Sequence, residues 1–288
     1  MPTYDGSLDD RTGYDPLFIG PRVEAPRLLD AADALLLNDA PVIHYMRFSL
    51  SLSRSRKLAR WVAWNIDGST LPHSNDKSPD GLRRDDLSFR NDPRLDRRDQ
   101  TPASTYDDNR LDRGHIARRA DLLWGDPDDA EKANRDSFYL TNITPQMDNF
   151  NQSRLQGVWG CLENAVLNQV VDDNSHVSVM AGPVLSPEDQ PYRKVLVPRE
   201  FWKVLIYQRD NELRSRGFIV TQKLLGLRRA VSPLDEFHVY ERSLALIASK
   251  ACVSFDSALP AAQQRGRRAP RRRAQADKPI DNINDIAW

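Results

Sequence analysis

Short segments of this chain alternate between apolar and polar residues, and a period of two is typical of half-buried strands. Residues 42–52 alternate in their second half and predict one strand. After a basic turn at 53–57, residues 58–68 predict its antiparallel partner, and 176–183 predict a further strand. A meander with a hairpin turn at Asp210-Asn211 is predicted over three later segments, namely 195–198, 201–207 and 216–222. The pattern indicates an antiparallel sheet.

Helical patterns are confined to a few stretches. Residues 126–135 and 243–250 have helical composition. Residues 137–143, which follow the first of these segments, predict a strand. An apolar stripe predicts a long helix over 151–171 that starts near Asn151, and its members are Phe150, Val158, Trp159 and Leu162. These elements predict an α+β fold with an antiparallel sheet core and flanking helices.

Residues 69–110 are polar and dotted with prolines, and they lack any hydrophobic period. A loop of this length in a compact domain is usually functional or disordered. Two interpretations stay open, a solvated surface or a source of arginines that contact an anionic substrate. Six arginines alternate with aspartates there: Arg83, Arg84, Arg90, Arg94, Arg97 and Arg98.

The composition is that of a globular protein, with 288 residues, 40% hydrophobic and 28% charged. The net charge of zero argues mildly against a protein that holds nucleic acid by overall charge, although a locally positive cleft would suffice. Two cysteines exclude a disulfide framework and a cysteine-based zinc site. No secretory signal or membrane span is recognisable, so we expect a protein that is cytoplasmic or exported without a cleaved signal peptide.

Residues 111–163 contain the side chains best suited to chemistry. His115 can act as a general base near neutral pH, and Arg113 offers a planar fork of donors that fits phosphate oxygens. An asparagine can give a neutral oxygen to Mg²⁺, and a carboxylate can hold one of the waters that this cation keeps. Base, cationic clamp, metal and water-holder are the parts that phosphodiester hydrolysis requires.

The order of the motifs resembles the DNA/RNA non-specific endonuclease family, which includes mitochondrial endonuclease G and secreted sugar-nonspecific nucleases of bacteria. The resemblance covers approximately residues 11–256, and the interval from Asn142 to Asn151 agrees with the family. It implies a ββα-metal active-site motif within the α+β fold. The matching motifs are Asp112-Arg113-Gly114-His115, Asn142-Ile143-Thr144-Pro145-Gln146, Phe150-Asn151-Gln152 and Trp159 followed by Leu162-Glu163.

By this resemblance, His115 is expected to be the general base and Asn151 the direct ligand of Mg²⁺, with Mn²⁺ as a substitute. Arg113 is expected to contact phosphate, Glu163 to hold a metal-bound water, and Asn142 to support the site. Family members also carry a substrate arginine ahead of the histidine motif. The expectation for that arginine falls on Arg90, slightly ahead of Arg84.

One interval departs from the family, because residues 153–156 look inserted between Asn151 and Glu163. On one continuous helix these two residues, twelve positions apart, would lie about 120° apart around the axis. The alternative is that the insert bulges out before the helix starts. The assignment of Glu163 depends on which of the two holds.

The expected organisation is an N-terminal extended arm at 1–40 packed on the core, a nuclease domain at 41–260 and a basic, disordered tail at 261–288. The expected function is Mg²⁺-dependent, non-specific endonucleolytic hydrolysis of DNA and RNA. The main alternative is a catalytically silent nucleic-acid-binding module of the same fold, and a structural protein with a buried polar network ranks below it. Among partners, DNA and RNA are expected, a homodimer and an inhibitor protein stay open, and no membrane is expected.

Overall fold

The computed structural model describes residues 7–71, 82, 87–224, 239–259 and 279–280. The strands in chain order are β1 (Arg27–Leu28), β2 (Ile43–Tyr45), β3 (Phe48–Leu52), β4 (Ala59–Asp67), β5 (Leu111–His115), β6 (Ile143–Met147), β7 (His176–Val184), β8 (Gln190–Tyr192), β9 (Val195–Val197), β10 (Glu200–Arg209), β11 (Glu212–Thr221), β12 (Val239–Glu241), β13 (Val253–Ser254) and β14 (Pro279–Ile280). The helices are α1 (Pro127–Asp136), α2 (Asp148–Asn151), α3 (Val158–Asp172) and α4 (Leu244–Ala251).

A large antiparallel sheet forms the centre of the described part of the molecule. Its eight strands follow the order β14-β12-β11-β10-β7-β4-β3-β2, and each hydrogen-bonded pair is antiparallel. Three two-stranded sheets accompany it, pairing β1 with β13, β5 with β6, and β8 with β9. The predicted α+β fold with an antiparallel core is confirmed.

Alternation along the central strands sorts their side chains onto two apolar layers, one on each face of the sheet. Along β10, Phe201 and Leu205 enter the layer that contains Trp159 of α3, whereas Trp202 and Ile206 enter the layer beneath α4. Both layers are fully buried at these positions. The sheet is therefore covered on both faces, and the layer with α3 also supports the β5–β6 pair.

The predicted hairpin between β10 and β11 is confirmed, with Asp210 and Asn211 both in the left-handed region at φ 53° and 59°. The prediction of one strand over 42–52 is wrong, since the segment forms two strands joined by a turn. Arg47 in that turn has φ 69°. Its guanidinium donates to the Leu122 carbonyl at 2.7 Å and lies 4.0 Å from the centroid of Trp124. These distant partners stabilise a break that the local pattern does not reveal.

Two other predicted elements also need correction. Residues 137–143 do not form a strand, because the backbone turns through a 3₁₀ helix at Leu140–Asn142 and β6 starts only at Ile143. A continuous helix over 151–171 is likewise wrong, because α2 ends at Asn151 and α3 begins at Val158. Both errors arise from buried apolar residues in irregular backbone, whose local periodicity resembles that of regular structure.

The described part of the N-terminal segment lies against the sheet and α1. Tyr14 and Val23 are buried in the layer beneath α4, and the Tyr14 hydroxyl donates to the Val23 carbonyl at 2.9 Å. Arg11 donates through Nε to Asp136 of α1 at 2.6 Å, with both side chains almost fully buried. Within the described residues, no helix is long and apolar enough to cross a bilayer. Arg83, Arg84 and, apart from 279–280, the basic segment 261–288 lie outside the described residues.

Candidate active site

The antiparallel pair β5–β6 places His115 at the end of a strand. Its register sets His115 opposite Ile143 and Gly114 opposite Thr144. A Cβ on Gly114 would lie 2.1 Å from Oε1 of Gln146, so a larger residue here would displace that buried side chain. The strand pair thus fixes the direction in which the histidine leaves the sheet.

Asn142 holds the backbone that follows His115. Its Oδ1 accepts from the Ala117 amide at 2.9 Å, and its Nδ2 donates to the Ala117 carbonyl at 3.0 Å and to the Ser137 carbonyl at 3.1 Å. The side chain is 0% exposed. Because all of these bonds go to backbone groups, Asn142 can act on the site through the position of the histidine loop.

The imidazole of His115 packs against two phenyl rings. The Phe89 centroid lies 5.5 Å from it, and the Phe138 centroid lies 5.4 Å away in an edge arrangement. His115 is therefore half-buried. Phe89, from the middle of the long polar loop, was not recognised from the sequence as part of this site.

Arg113 lies on the same side of β5 as His115, since alternate residues of a strand face the same way. Its guanidinium carbon is 5.6 Å from the centroid of Phe89 and 5.1 Å from that of Tyr106. Nη2 of Arg113 is 3.7 Å from Oδ1 of Asp107, and about a third of the Arg113 side chain is exposed. Phe89 thus contacts both the Arg113 guanidinium and the His115 imidazole, so the two predicted residues pack against the same ring.

Arg90 is placed differently. Its Nη2 donates to the Arg135 carbonyl at 3.0 Å, and its guanidinium carbon lies 4.6 Å from the centroid of Tyr139. These contacts hold it at the C-terminal end of α1. Arg90 would have to leave them to reach a phosphate beside His115.

Asn151, at the end of α2, is joined to β5 through Asp112. Its Nδ2 donates to Oδ2 of Asp112 at 3.0 Å, and Nε2 of Gln152 donates to the same oxygen at 2.7 Å. Because the amide nitrogen faces a carboxylate, Oδ1 of Asn151 points the other way and makes no hydrogen bond to the described residues. Asp112 was quoted in the sequence motif, but its role as the link to α2 was not foreseen.

The four residues inserted after Gln152 form a separate turn. Ser153–Leu155 is a 3₁₀ helix, Gln156 is left-handed at φ 59°, and all four inserted residues are exposed. Gly157 donates its amide to the Gln152 carbonyl at 2.9 Å, which closes the turn before α3 starts. The insert therefore bulges outward, as the second of the two predicted alternatives described.

Gly160 brings α3 back to Asn151. A Cβ at this position would lie 2.3 Å from the Asn151 carbonyl oxygen and 2.8 Å from the Ser153 amide nitrogen. Glu163 lies three residues further along, on the same face of the helix. The bulge thus brings α3 back to Asn151 one helical turn before Glu163, although the two residues are twelve positions apart.

Gly160→Ala is expected to destabilise the fold and lower activity, although alanine normally favours a helix interior by about 1 kcal/mol. The new methyl group meets backbone, so the α2–α3 junction must shift at a cost of roughly 1–3 kcal/mol. Urea unfolding and cleavage assays measure both effects. Asn168→Ala, an exposed change in the same helix, serves as the control. A Gly160→Ala protein as stable and active as the parent would contradict the close approach.

Glu163 belongs to a buried charged cluster whose other members the sequence analysis missed. Lys203 of β10 places Nζ 3.1 Å from Oε1 of Glu163. Asp121 accepts from Nε1 of Trp64 at 3.1 Å. Burial raises the pKa of Asp121 to about 6, although the positive charges of Arg118 and Lys203 act in the opposite direction. A single lysine inside the apolar run 201–206 was the available sequence signal.

Asp121→Asn is expected to stabilise the protein at pH 7 and to change little near pH 4. A folded-state pKa of about 6 against an ordinary 3.8 means that the native state binds the extra proton, so stability falls as pH rises between these values. The difference corresponds to roughly 3 kcal/mol at most. Urea unfolding at both pH values tests it, with exposed Asp172→Asn as the control. An equal effect at both pH values would refute the shift.

The donors at the α2–α3 junction fit a hydrated magnesium ion. Oδ1 of Asn151 is a neutral oxygen directed away from its carboxylate partner, and Glu163 is a carboxylate one helical turn after Gly160, where α3 approaches the Asn151 backbone. Mg²⁺ keeps most of its waters and needs few protein ligands. Within the described residues there is no group of three or more His, Cys, Asp or Glu side chains that could hold a metal by themselves. Asn151 and Glu163 are the two candidate residues for such a hydrated ion.

A strand pair that ends in a histidine, followed by a helix that starts beside an asparagine, is the arrangement of the ββα-metal nuclease fold. The chain belongs to the DNA/RNA non-specific endonuclease family, whose model matches residues 32–262. A crystal structure of the EndoG/EndoGI complex has a similar fold, with a TM-score of 0.57 and 19% identity over 74% of this chain and 84% of that one.

Three relatives illustrate the range of the family. The chain is 33% identical over 234 residues to the uncharacterized protein y4fB of Sinorhizobium fredii, covering 75% of this chain and 33% of that protein. It is 28% identical to Nuclease C1 of Cunninghamella echinulata over 67% of this chain and 74% of the relative. Human mitochondrial endonuclease G is 28% identical over 59% of this chain and 55% of its own length. The chain thus spans a third of the first relative and about half of endonuclease G.

Proposed function

We propose that this protein is a Mg²⁺-dependent endonuclease that hydrolyses phosphodiester bonds of DNA and RNA with little sequence preference. The observation that carries the proposal is the way the strand pair and the helices hold the candidate residues. β5 ends in His115 and binds Asn151 through Asp112. Glu163 lies one turn after Gly160, where α3 approaches the Asn151 carbonyl. Family membership and the relatives named as nucleases support the same activity.

In this proposal, His115 takes a proton from the water that attacks phosphorus. Phe89 and Phe138 hold the ring, and Asn142 holds the backbone at Ala117, two residues further on. The imidazole is therefore oriented before the substrate arrives. Preorganisation of this kind lowers the entropic cost of reaching the reactive geometry. The histidine loop is therefore the proposed source of the general base.

Arg113 is the arginine that we assign to the scissile phosphate, ahead of Arg90. Its guanidinium is partly exposed beside the histidine, and the ring faces of Phe89 and Tyr106 restrict its orientation. A planar fork of donors can bind two phosphate oxygens at once and stabilise the charge that develops on them. Arg90 remains a candidate only if substrate draws it away from the Arg135 carbonyl.

Asn151 is the proposed ligand of Mg²⁺, with Mn²⁺ as a substitute, and Glu163 the proposed partner of one of its waters. The bound cation supplies Lewis-acid stabilisation of the phosphoryl charge and of the departing oxygen. Asp112 orients the amide of Asn151 so that its oxygen faces outward. Such outer contacts usually matter for both affinity and activity.

Incubating the purified protein with supercoiled plasmid and with RNA, in Mg²⁺ or in EDTA, tests the proposal. Degradation of both nucleic acids that EDTA abolishes is the expected result. The alternative, a silent binding module, predicts retarded electrophoretic mobility of DNA without cleavage. Degradation that continues in EDTA would overturn the metal assignment.

Two protein partners are proposed besides the nucleic-acid substrate. The similar crystal structure is that of EndoG in complex with EndoGI and concerns the inhibition of EndoG, so an inhibitor protein is proposed for this chain as well. A homodimer is the other expected assembly. Light scattering after size exclusion measures the mass of the protein alone, and a single-chain mass at assay concentration would reject the dimer.

A further inference from the structure

Lys203 is a lysine in the middle of a buried strand. It lies on β10 between Trp202 and Val204, both fully buried, and is itself 1% exposed. Its side chain enters the same apolar layer as Phe201 and Leu205, beneath α3. A charged group at such a position needs a partner, since an isolated buried ammonium is very costly.

The partner of Lys203 is the carboxylate of Glu163, to which a water of the proposed cation is assigned. Nζ of Lys203 lies 3.1 Å from Oε1 of Glu163, and the two side chains are 2% and 9% exposed. The ammonium also lies 4.2 Å from the centroid of Trp159 and 5.4 Å from that of Trp64. Two aromatic faces and one carboxylate thus surround the ammonium group at this point.

Stability alone does not account for this pair. Replacing a buried ion pair with apolar residues of similar volume is often neutral or stabilising, because desolvation offsets the Coulombic attraction. The surrounding layer is apolar and well filled, with Phe201, Leu205 and Trp159 fully buried. A buried pair beside a candidate active site therefore suggests a role in function.

The geometry gives that role a specific form. Lys203 occupies Oε1 of Glu163, and Oε2 makes no hydrogen bond within the part of the chain that the structure describes. Glu163 lies one helical turn after Gly160, where α3 passes the Asn151 carbonyl. One oxygen is thus tied to the sheet, and the other can accept a hydrogen bond from a water.

We propose that Lys203 is a positioning residue that fixes the Glu163 carboxylate, so that its free oxygen can hold a water of the cation bound at Asn151. This inference rests on the proposed nuclease function and adds to it a role for the central sheet. The ammonium group of Lys203 joins the central sheet to the site, whereas His115 is held by the β5–β6 pair and Asn151 lies on α2.

Lys203→Met, Glu163→Gln and the double variant test the proposal, with Leu205→Met as the matched control on the same face of β10. Each protein is first shown to be folded by circular dichroism at the assay temperature. Calorimetric titration with Mg²⁺, without nucleic acid, then measures cation affinity, and plasmid cleavage measures kcat and KM separately.

Lys203→Met is expected to weaken Mg²⁺ binding and lower kcat by roughly 10- to 100-fold each, with little change in KM, as for other partners of metal-site residues. Glu163→Gln is expected to match it, and the double variant to lose no more than either single change. Leu205→Met should behave like the parent. Wild-type Mg²⁺ affinity and kcat in Lys203→Met would overturn the proposal, as would fully additive losses in the double variant.

Two further outcomes are also decisive. If Lys203→Met does not fold, the double variant, which removes the Glu163 charge together with the ammonium, is compared with Glu163→Gln; equal Mg²⁺ affinities support the proposal and a further loss overturns it. If the parent protein binds Mg²⁺ but cleaves neither DNA nor RNA, the nuclease function fails. The calorimetric comparison still judges Lys203 in that case.

Discussion

His115→Ala is expected to reduce the rate of Mg²⁺-dependent plasmid cleavage by roughly 10²- to 10⁴-fold, the usual contribution of a positioned general base. The fold should survive, because the change removes aromatic contacts of a half-buried ring with Phe89 and Phe138, worth about 1 kcal/mol each. Single-turnover cleavage of supercoiled DNA measures the loss. Thermal unfolding and Mg²⁺ titration of the same sample show whether folding and cation binding remain.

The matched control is His176→Ala. That histidine is exposed and lies 3.2 Å from Asp67, at the start of β7. Its removal should leave cleavage within about twofold of the parent, as for other surface changes away from a site. A His115→Ala protein that retains most of the parent activity would remove the general base from the proposal, whatever the result for His176.

Asn151→Ala is expected to abolish measurable Mg²⁺ binding and lower cleavage by roughly 10²- to 10³-fold. A direct ligand should matter at least as much as an outer partner, whose loss costs about 10- to 100-fold. Asp112 would keep its hydrogen bond from Gln152, so α2 should stay attached to β5. Calorimetric titration and the Mg²⁺ dependence of cleavage measure the two effects independently.

Asn149→Ala is the control for this experiment, because it removes a second amide from α2. Asn149 has a buried Oδ1 that makes no hydrogen bond to the described residues. Unchanged Mg²⁺ affinity in this variant, together with its loss in Asn151→Ala, is the expected pair of results. The reverse pattern would transfer the ligand role from Asn151 to Asn149.

The local sequence was sufficient for the regular elements and for the family. Apolar and alternating segments predicted β4, β7 and the β10–β11 hairpin, because strands of a sheet covered on both faces are rich in apolar residues. The order of the motifs around His115 and Asn151 indicated the family that the comparisons show. These features depend on residues that are close in sequence, so one chain is enough to recognise them.

The tertiary structure decided how distant residues complete the site. Phe89 meets His115, Asp112 joins Asn151, and Lys203 pairs with Glu163, in each case across a long interval of sequence. It also decided that the insert bulges out and that α3 returns to Asn151 at Gly160. Local sequence propensity cannot predict such contacts, because they form only when separate elements pack together. The sequence therefore indicated the candidate reacting groups. The packing of the central sheet, the β5–β6 pair and the helices determined which side chains hold these groups in place.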